Sequence, residues 1–406
     1  DLIPWSSAGG LSFTSSWDVT DAQIGDAGTY RCQVRNTHPI FGQYVANSDD
    51  AVITISSGTV FRVDKYAPGT VQDGLSWATA FKTIQPAINA AAAAPGGGEV
   101  WVAGGPLSGS PNIYNEARTE LWGGVTGSLI IKNNVQVYGG FEGYRGGLGA
   151  QEQYRDQRVI PQNRAIIDGS ISRGGAPAYH VIVFGSETAP TVNAAIDGFI
   201  IQGGNASGNN TLDINHRYHT WRGGGIYNWL SSPTIANCRI LNNTAAVSGG
   251  AIANEAYEIG GTFYPANATL LNCIIETNTA SRLADGGAGP GGGNPIRGGG
   301  VFNNGATPSM RFLTLRANHL GAFTPPVEDV NNWGIGSGGI LDWGMVQTPA
   351  GAITIDNSIL WDNDEGPIDF GKALGCAATF AVDFANLPDN HVQGGWTAGT
   401  ISTADP

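Results

Sequence analysis

Cysteine is scarce in this chain: four in 406 residues, at Cys32, Cys238, Cys273 and Cys376. None sits in a Cys-x-x-Cys or Cys/His spacing, which removes the usual zinc modules. Four in so long a chain do not make a disulfide framework either. Basic residues are also few, 20 Lys and Arg against 33 Asp and Glu, for a net charge of −13. No run concentrates Lys or Arg, so a nucleic acid or an anionic membrane surface is excluded as a general partner. Charged residues are 13% and apolar ones 41%, a balance that builds a core and excludes disorder. No apolar run is long enough for a transmembrane helix, and no secretory leader opens the chain. Nucleophile elbows and phosphate loops are missing too, because the glycine runs lack the Lys-Ser/Thr that would follow them. No cofactor is implied. The acidic surface offers carboxylates to divalent cations such as Ca2+, but ordinary solubility is the simpler account.

Glycine is what the chain has in excess, 61 residues without the every-third-residue period of collagen. From about Trp221 to Asn363 the glycines belong to a repeat with two alternating halves. One half reads Arg-Gly-Gly-Gly-Ile-Tyr-Asn at 222–228, Ser-Gly-Gly-Ala-Ile-Ala-Asn at 248–254 and Arg-Gly-Gly-Gly-Val-Phe-Asn at 297–303. A looser copy lies at 336–342. The other half reads Asn-Cys-Arg-Ile-Leu-Asn-Asn at 237–243, with copies beginning at 272, 312 and 357, spaced by 35, 40 and 45 residues. Short apolar strands punctuated by Gly and Asn, with no helical period, are the mark of a β-solenoid. One copy cannot bury its own apolar residues, so copies must stack. Stacking predicts inward ladders of Ile226, Ile252, Val301 and Ile340, and of Ile240, Ile275, Leu315 and Leu360. Asn243, Asn278, Asn318 and Asn363 should form a corner ladder, with left-handed backbone at those residues and amides bonded to the next coil. Asn228, Asn254 and Asn303 form a second ladder, headed by Asp342. Cys238 and Cys273 occupy equivalent positions, which leaves two buried thiols or a disulfide, thiols being favoured.

These repeats resemble secreted bacterial right-handed parallel β-helix proteins, in the style of the polymorphic outer-membrane proteins of chlamydiae. The upstream stretches Asp73 to Phe81, Glu99 to Ala103, Tyr138 to Gly143 and Asp168-Gly169 match the opening coils of such proteins in order, and Val392 to Trp396 and Ala404 to Pro406 match their last coils. The likeness covers roughly residues 60–406. It implies an all-β, right-handed parallel β-helix at an extracellular or cell-surface location, and says little about activity. Handedness also follows from the general preference of parallel crossovers.

Residues 1–57 read as a separate unit. Asp-Ala-Gly-Thr-Tyr-Arg-Cys at 26–32 has the Tyr two residues before a Cys that marks the entry to strand F of an immunoglobulin-like sandwich. Leu11 to Phe13 would be strand E and the alternating Ala51 to Ile55 strand G. The first half of such a sandwich is missing, so either the chain is a segment of a longer polypeptide or another chain supplies the strands. The solenoid is expected over 58–406, with a short capping helix at about 84–94, N-capped by Thr83, its Ile84 and Ile88 face closing the open end. His180 reads as a structural corner residue.

Three insertions, at 205–221, 279–296 and 319–335, leave the coil at one phase and should project from one face, the usual binding face of a solenoid. They carry His216, Tyr218, His219 and Trp221, then Arg282 and Asp285, then Phe323 and Trp333, which suit a glycan or a protein partner unless the rings pack their own loops. For an enzyme, Asp342, Asp356, Asp362 and Asp364 offer carboxylates, and Arg282, Arg297, His216 and His219 offer bases, but none forms a motif. The sequence therefore favours a non-enzymatic structural or adhesive protein that associates with itself, another surface protein or a glycan, extending into filaments through the Ig-like half and the solenoid ends. The alternative is a lyase or glycosidase acting on an acidic polysaccharide.

Overall fold

The computed structural model describes residues 59–105, 109–144, 152–161, 165–186, 188–208, 219–280 and 298–320. It also describes the short strand segments 28–30, 33–38, 42–47, 51–53, 340–343, 354–356, 358–361, 368–370 and 391–392. The chain divides into two compact units, residues 1–57 and 58–406. In the first, Gly28–Tyr30 pairs antiparallel with Ala51–Ile53, and Gln33–His38 with Gly42–Asn47. The expected strand at Leu11 to Phe13 lies outside the described residues.

The second unit is a stack of coils built from parallel sheets of eight, eight and seven strands, plus a short sheet of four. One coil runs through Thr234–Ala236 in sheet 1, Arg239–Leu241 in sheet 2, Thr244–Ala245 in the short sheet and Ile252–Glu255 in sheet 3. It returns to sheet 1 at Thr269–Leu271. Strands of three or four residues suffice because each is hydrogen-bonded to the coils before and after it, at the usual spacing of ~4.8 Å.

Register follows the repeat. Ile226, Ile252, Val301 and Ile340 pair in series, and so do Ile240, Ile275, Leu315 and Leu360. The described members of both ladders, Ile226, Ile252, Val301, Ile240, Ile275 and Leu315, are fully buried in one continuous core. Each such side chain contributes about 1.5–3 kcal/mol of transfer free energy.

The Asn corner corrects one expectation. The left-handed residue is the one before each ladder Asn: Asn242 (φ 54°), Thr277 (55°) and Ala317 (49°). That turn swings the next side chain inward, where the carboxamide spans the coil step. Asn243 donates from Nδ2 to Asn278 Oδ1 at 3.1 Å, and Asn278 likewise to Asn318 at 3.0 Å. The second ladder runs the same way, Asn228 to Asn254 at 3.1 Å and Asn254 to Asn303 at 2.8 Å. All six of these residues, Asn228, Asn243, Asn254, Asn278, Asn303 and Asn318, are fully buried. Asn363 lies outside the described residues.

The glycine triplet has two distinct jobs. Its first residue holds a positive φ, at Gly223 (67°), Gly249 (66°) and Gly298 (59°). Its second cannot carry a Cβ, since one on Gly224 would stand 2.3 Å from the Thr244 carbonyl and one on Gly250 2.4 Å from that of Gly299.

Helix α1 spans Ile84–Ala93 and buries Ile84, Gln85, Ala87, Ile88 and Ala91. Thr83 occupies the N-cap position without a side-chain capping bond. Gln85 does more for the cap than was legible in sequence. Its carboxamide accepts from the Ile130 N–H at 2.8 Å and donates to the Ile130 carbonyl at 3.1 Å. Ile130 lies in Leu129–Ile131, the edge strand of sheet 3, so the helix occupies backbone groups that would otherwise invite another strand.

Cys238 and Cys273 are free, buried thiols in neighbouring coils. Burial pushes both well up, Cys273 to about 12. His180 is fully buried with its Nδ1 2.9 Å from the Gly223 carbonyl, and its ring stacks on Tyr227 at 4.8 Å.

Candidate functional site: a groove on the outer face of sheet 2

Of the residues proposed for the loop face, His216, Tyr218, Arg282, Asp285, Phe323 and Trp333 lie outside the described residues. The backbone of His219 and Trp221 forms one 3-10 turn, His219–Trp221. Trp221 is half-buried and donates its indole N–H to the Gly208 carbonyl, which ties the ring to its own connection. The points from which the insertions leave do stack. Asn205–Ala206, Thr244–Ala245, Thr279–Ala280 and His319–Leu320 are in register in the short sheet. Asp342 stands opposite Asn303 in sheet 3, and Asp356 opposite Arg311 in sheet 1.

A different surface is concave and carries convergent polar groups. Residues outward-facing on sheet 2 include Ile200, Arg239, Ile274 and Thr314, one per coil and in register. Ile200, Arg239 and Ile274, with the sheet 1–sheet 2 corner, line a groove of about 420 Å³. Its floor is Phe199, Ile200, Cys238, Arg239 and Ile274, its corner edge Gly198, Asn237 and Asn272, and its wall Ile160 and Pro161. Ile274 is 40% exposed, so the floor presents aliphatic surface to solvent.

The wall is held by charge. Arg155 and Arg158 both lie over the Tyr138 ring, at 4.7 and 5.1 Å. Arg155 pairs with Glu99 at 3.1 Å and Arg158 with Asp197 at 2.7 Å. The segment 152–161 is therefore strapped to sheet 1, and its end stands beside sheet 2.

Along the corner runs an outward polar ladder. Asn237 donates to Asp197 Oδ1 at 2.8 Å, and Asn272 donates to Asn237 Oδ1 at 2.7 Å. Asn237 (φ 50°) and Asn272 (φ 51°) suit the left-handed corner. The next coil puts Phe312 there instead, at φ 54° and 49% exposed. A bulky side chain in that region costs about 1–2 kcal/mol and gains little burial in return. Backbone strain of this kind concentrates at functional surfaces.

Beside the floor, Glu276 binds two guanidiniums. Arg239 donates Nε–H to Oε1 at 2.5 Å, and Arg316 donates to Oε2 at 2.8 Å. The Glu276 side chain is 4% exposed, whereas Arg239 and Arg316 are 45% and 57% exposed. Burial by itself would raise the Glu276 carboxyl, but the bonds from Arg316 and Arg239 outweigh it and hold it below its ordinary value. Three guanidiniums (Arg158, Arg239, Arg316) thus meet two carboxylates (Asp197, Glu276), a local positive excess on a chain of net charge −13.

The groove offers an aliphatic floor, a carboxamide edge and the Arg239 guanidinium, and the next coil adds the exposed Phe312 ring and Arg316 beyond its lining. Among the described residues no three His, Cys, Asp or Glu side chains converge as metal ligands, and no helix is long and apolar enough to cross a membrane. Sequence reasoning passed over this site because its residues sit inside the repeat and read as solenoid positions. The signal was there as a departure from the repeat: Phe312 where the other copies have Asn237, Asn272 and Asn357. No protein-family model, curated protein or solved structure matches the chain.

Proposed function

We propose that the chain is a non-enzymatic extracellular or cell-surface protein, structural or adhesive in role. In this reading residues 58–406 form a right-handed parallel β-helix that presents binding faces, and residues 1–57 an immunoglobulin-like half through which copies associate. The observation that supports it most directly is the unbroken register of buried Ile and Asn ladders. Such a stack is a stiff scaffold on which outward side chains recur at a fixed step. A hydrolytic or eliminating activity on an acidic polysaccharide is the second reading, and the guanidinium-edged groove is what favours it.

Two assays decide between them. Negative-stain electron microscopy at low and high protein concentration, with adherence to cells measured alongside, should give regular filaments or adherence. Monodisperse particles with no adherence would sink the structural reading. New reducing ends or an unsaturated product from a polyuronate would establish the enzymatic one.

A further inference from the structure

We infer that the groove on the outer face of sheet 2, together with Phe312 and Arg316 on the adjoining coil, is a binding subsite for an anionic glycan lying along the stacking direction. Its ring faces would rest on Ile274 and Phe312, its hydroxyls on Asn237 and Asn272, and its acidic groups on Arg239 and Arg316. The inference rests on the adhesive reading and names its ligand class.

Four observations converge on it. First, the lining residues repeat one coil step apart, so the surface is linear and matches a chain molecule rather than a compact one. Second, Phe312 holds an exposed ring at a strained backbone position that the neighbouring coils give to Asn. A ring kept there against strain and against water serves as a platform for an apolar face. Third, the Asn237–Asn272 chain ends in an exposed carboxamide, whose Oδ1 and remaining N–H suit hydroxyls, which both donate and accept. Fourth, Arg239 and Arg316 share one carboxylate, so a positive charge remains along the groove's edge and the coil beside it on an otherwise acidic protein. Guanidiniums are suited to carboxylate and sulfate alike.

An acidic peptide fits less well. The floor lies within a sheet whose backbone groups are bonded to the coils on either side, so an extended peptide finds no main-chain partners there.

The test uses the full chain, with EDTA present so that no metal bridges the anion. Binding is measured to a polyuronate, a sulfated dextran, neutral dextran and polyglutamate, as a function of NaCl. Two variants accompany the wild type. Phe312→Asn restores the residue of the neighbouring coils and relieves the strained φ, so its melting temperature should hold or rise. The triple variant Arg239→Gln/Glu276→Gln/Arg316→Gln removes the charges without leaving a buried carboxylate unpaired.

The expected result is salt-sensitive binding to one or both anionic glycans, about tenfold or more weaker in each variant with no loss of melting temperature. The carboxylate and sulfate arms show which acid is preferred. The inference is overturned if neither anionic glycan binds, if polyglutamate binds equally well, or if both variants bind like the wild type. Cell adherence that survives in both variants would also overturn it while leaving the adhesive reading intact.

Discussion

Replacing Asn278 by Ala is the sharpest test of what holds one coil to the next. Asn278 Oδ1 accepts from the Asn243 backbone N–H at 3.1 Å and from Asn243 Nδ2 at 3.1 Å. Its own Nδ2 donates to the Ile240 carbonyl at 2.9 Å, the Glu276 carbonyl at 3.0 Å and Asn318 Oδ1 at 3.0 Å. Not all of these losses count equally. Asn243 Nδ2 keeps the Ile201 and Leu241 carbonyls, and Asn318 Oδ1 keeps the Asn278 N–H. The Asn243 N–H is stranded in the core and two carbonyls each lose a donor. One buried orphan donor at about 1–3 kcal/mol, plus two weakened acceptors, gives about 3 kcal/mol. That is a factor of about a hundred in the unfolding equilibrium of the coils concerned.

Urea denaturation should show the loss, with hydrogen exchange locating it at Asn243 and the adjoining strands, because a stack of coils need not unfold as one unit. Asn278→Asp puts an acceptor oxygen against the Ile240 and Glu276 carbonyls and Asn318 Oδ1 and buries a charge, so at neutral pH it should lose at least as much as Ala. An Asn278→Ala loss below about 1 kcal/mol, within the range of an exposed substitution, would refute the ladder as a source of inter-coil stability.

Three further outcomes follow from buried groups. His180 is held neutral by burial, its value lowered from 6.5 to about 4. The unfolded chain therefore binds a proton that the folded chain refuses, and stability should fall by about 3 kcal/mol as pH drops from 6.5 to 4; a titration of the His180 ring at its ordinary value would contradict this. Arg222 and Glu255 form a buried pair at 3.0 Å, the guanidinium 4.7 Å over the Phe302 ring. Arg222→Met alone should cost about 3–5 kcal/mol by stranding the carboxylate, and the double variant Arg222→Met/Glu255→Leu should recover most of it in chemical denaturation. In a Cys32→Ser/Cys376→Ser background, Cys238 and Cys273 should resist a thiol reagent in the native state and react on unfolding, since both are buried and pushed up in pKa. Fast native-state labelling would show that the coils open.

The stack of coils was legible in the sequence by itself because its rule is local. Period-two strands, a Gly where the chain must turn without a Cβ, and an Asn at each corner recur at fixed phase, so the repeat fixes which residues pair even before folding. Ile226 with Ile252 and Asn243 with Asn278 follow from spacing alone. What spacing could not place was anything decided by contacts across the coil or from outside it. The left-handed turn fell one residue before the expected Asn, because pointing the amide inward matters more there than the residue's own tolerance of positive φ. Gln85 closes the edge at Ile130 across 45 residues, and Glu276 binds Arg239 and Arg316 from two other coils. The groove is the clearest case. Ile160 and Pro161 become its wall only because Arg155 and Arg158 dock on Tyr138 and Asp197, a placement set by tertiary electrostatics that no local pattern encodes.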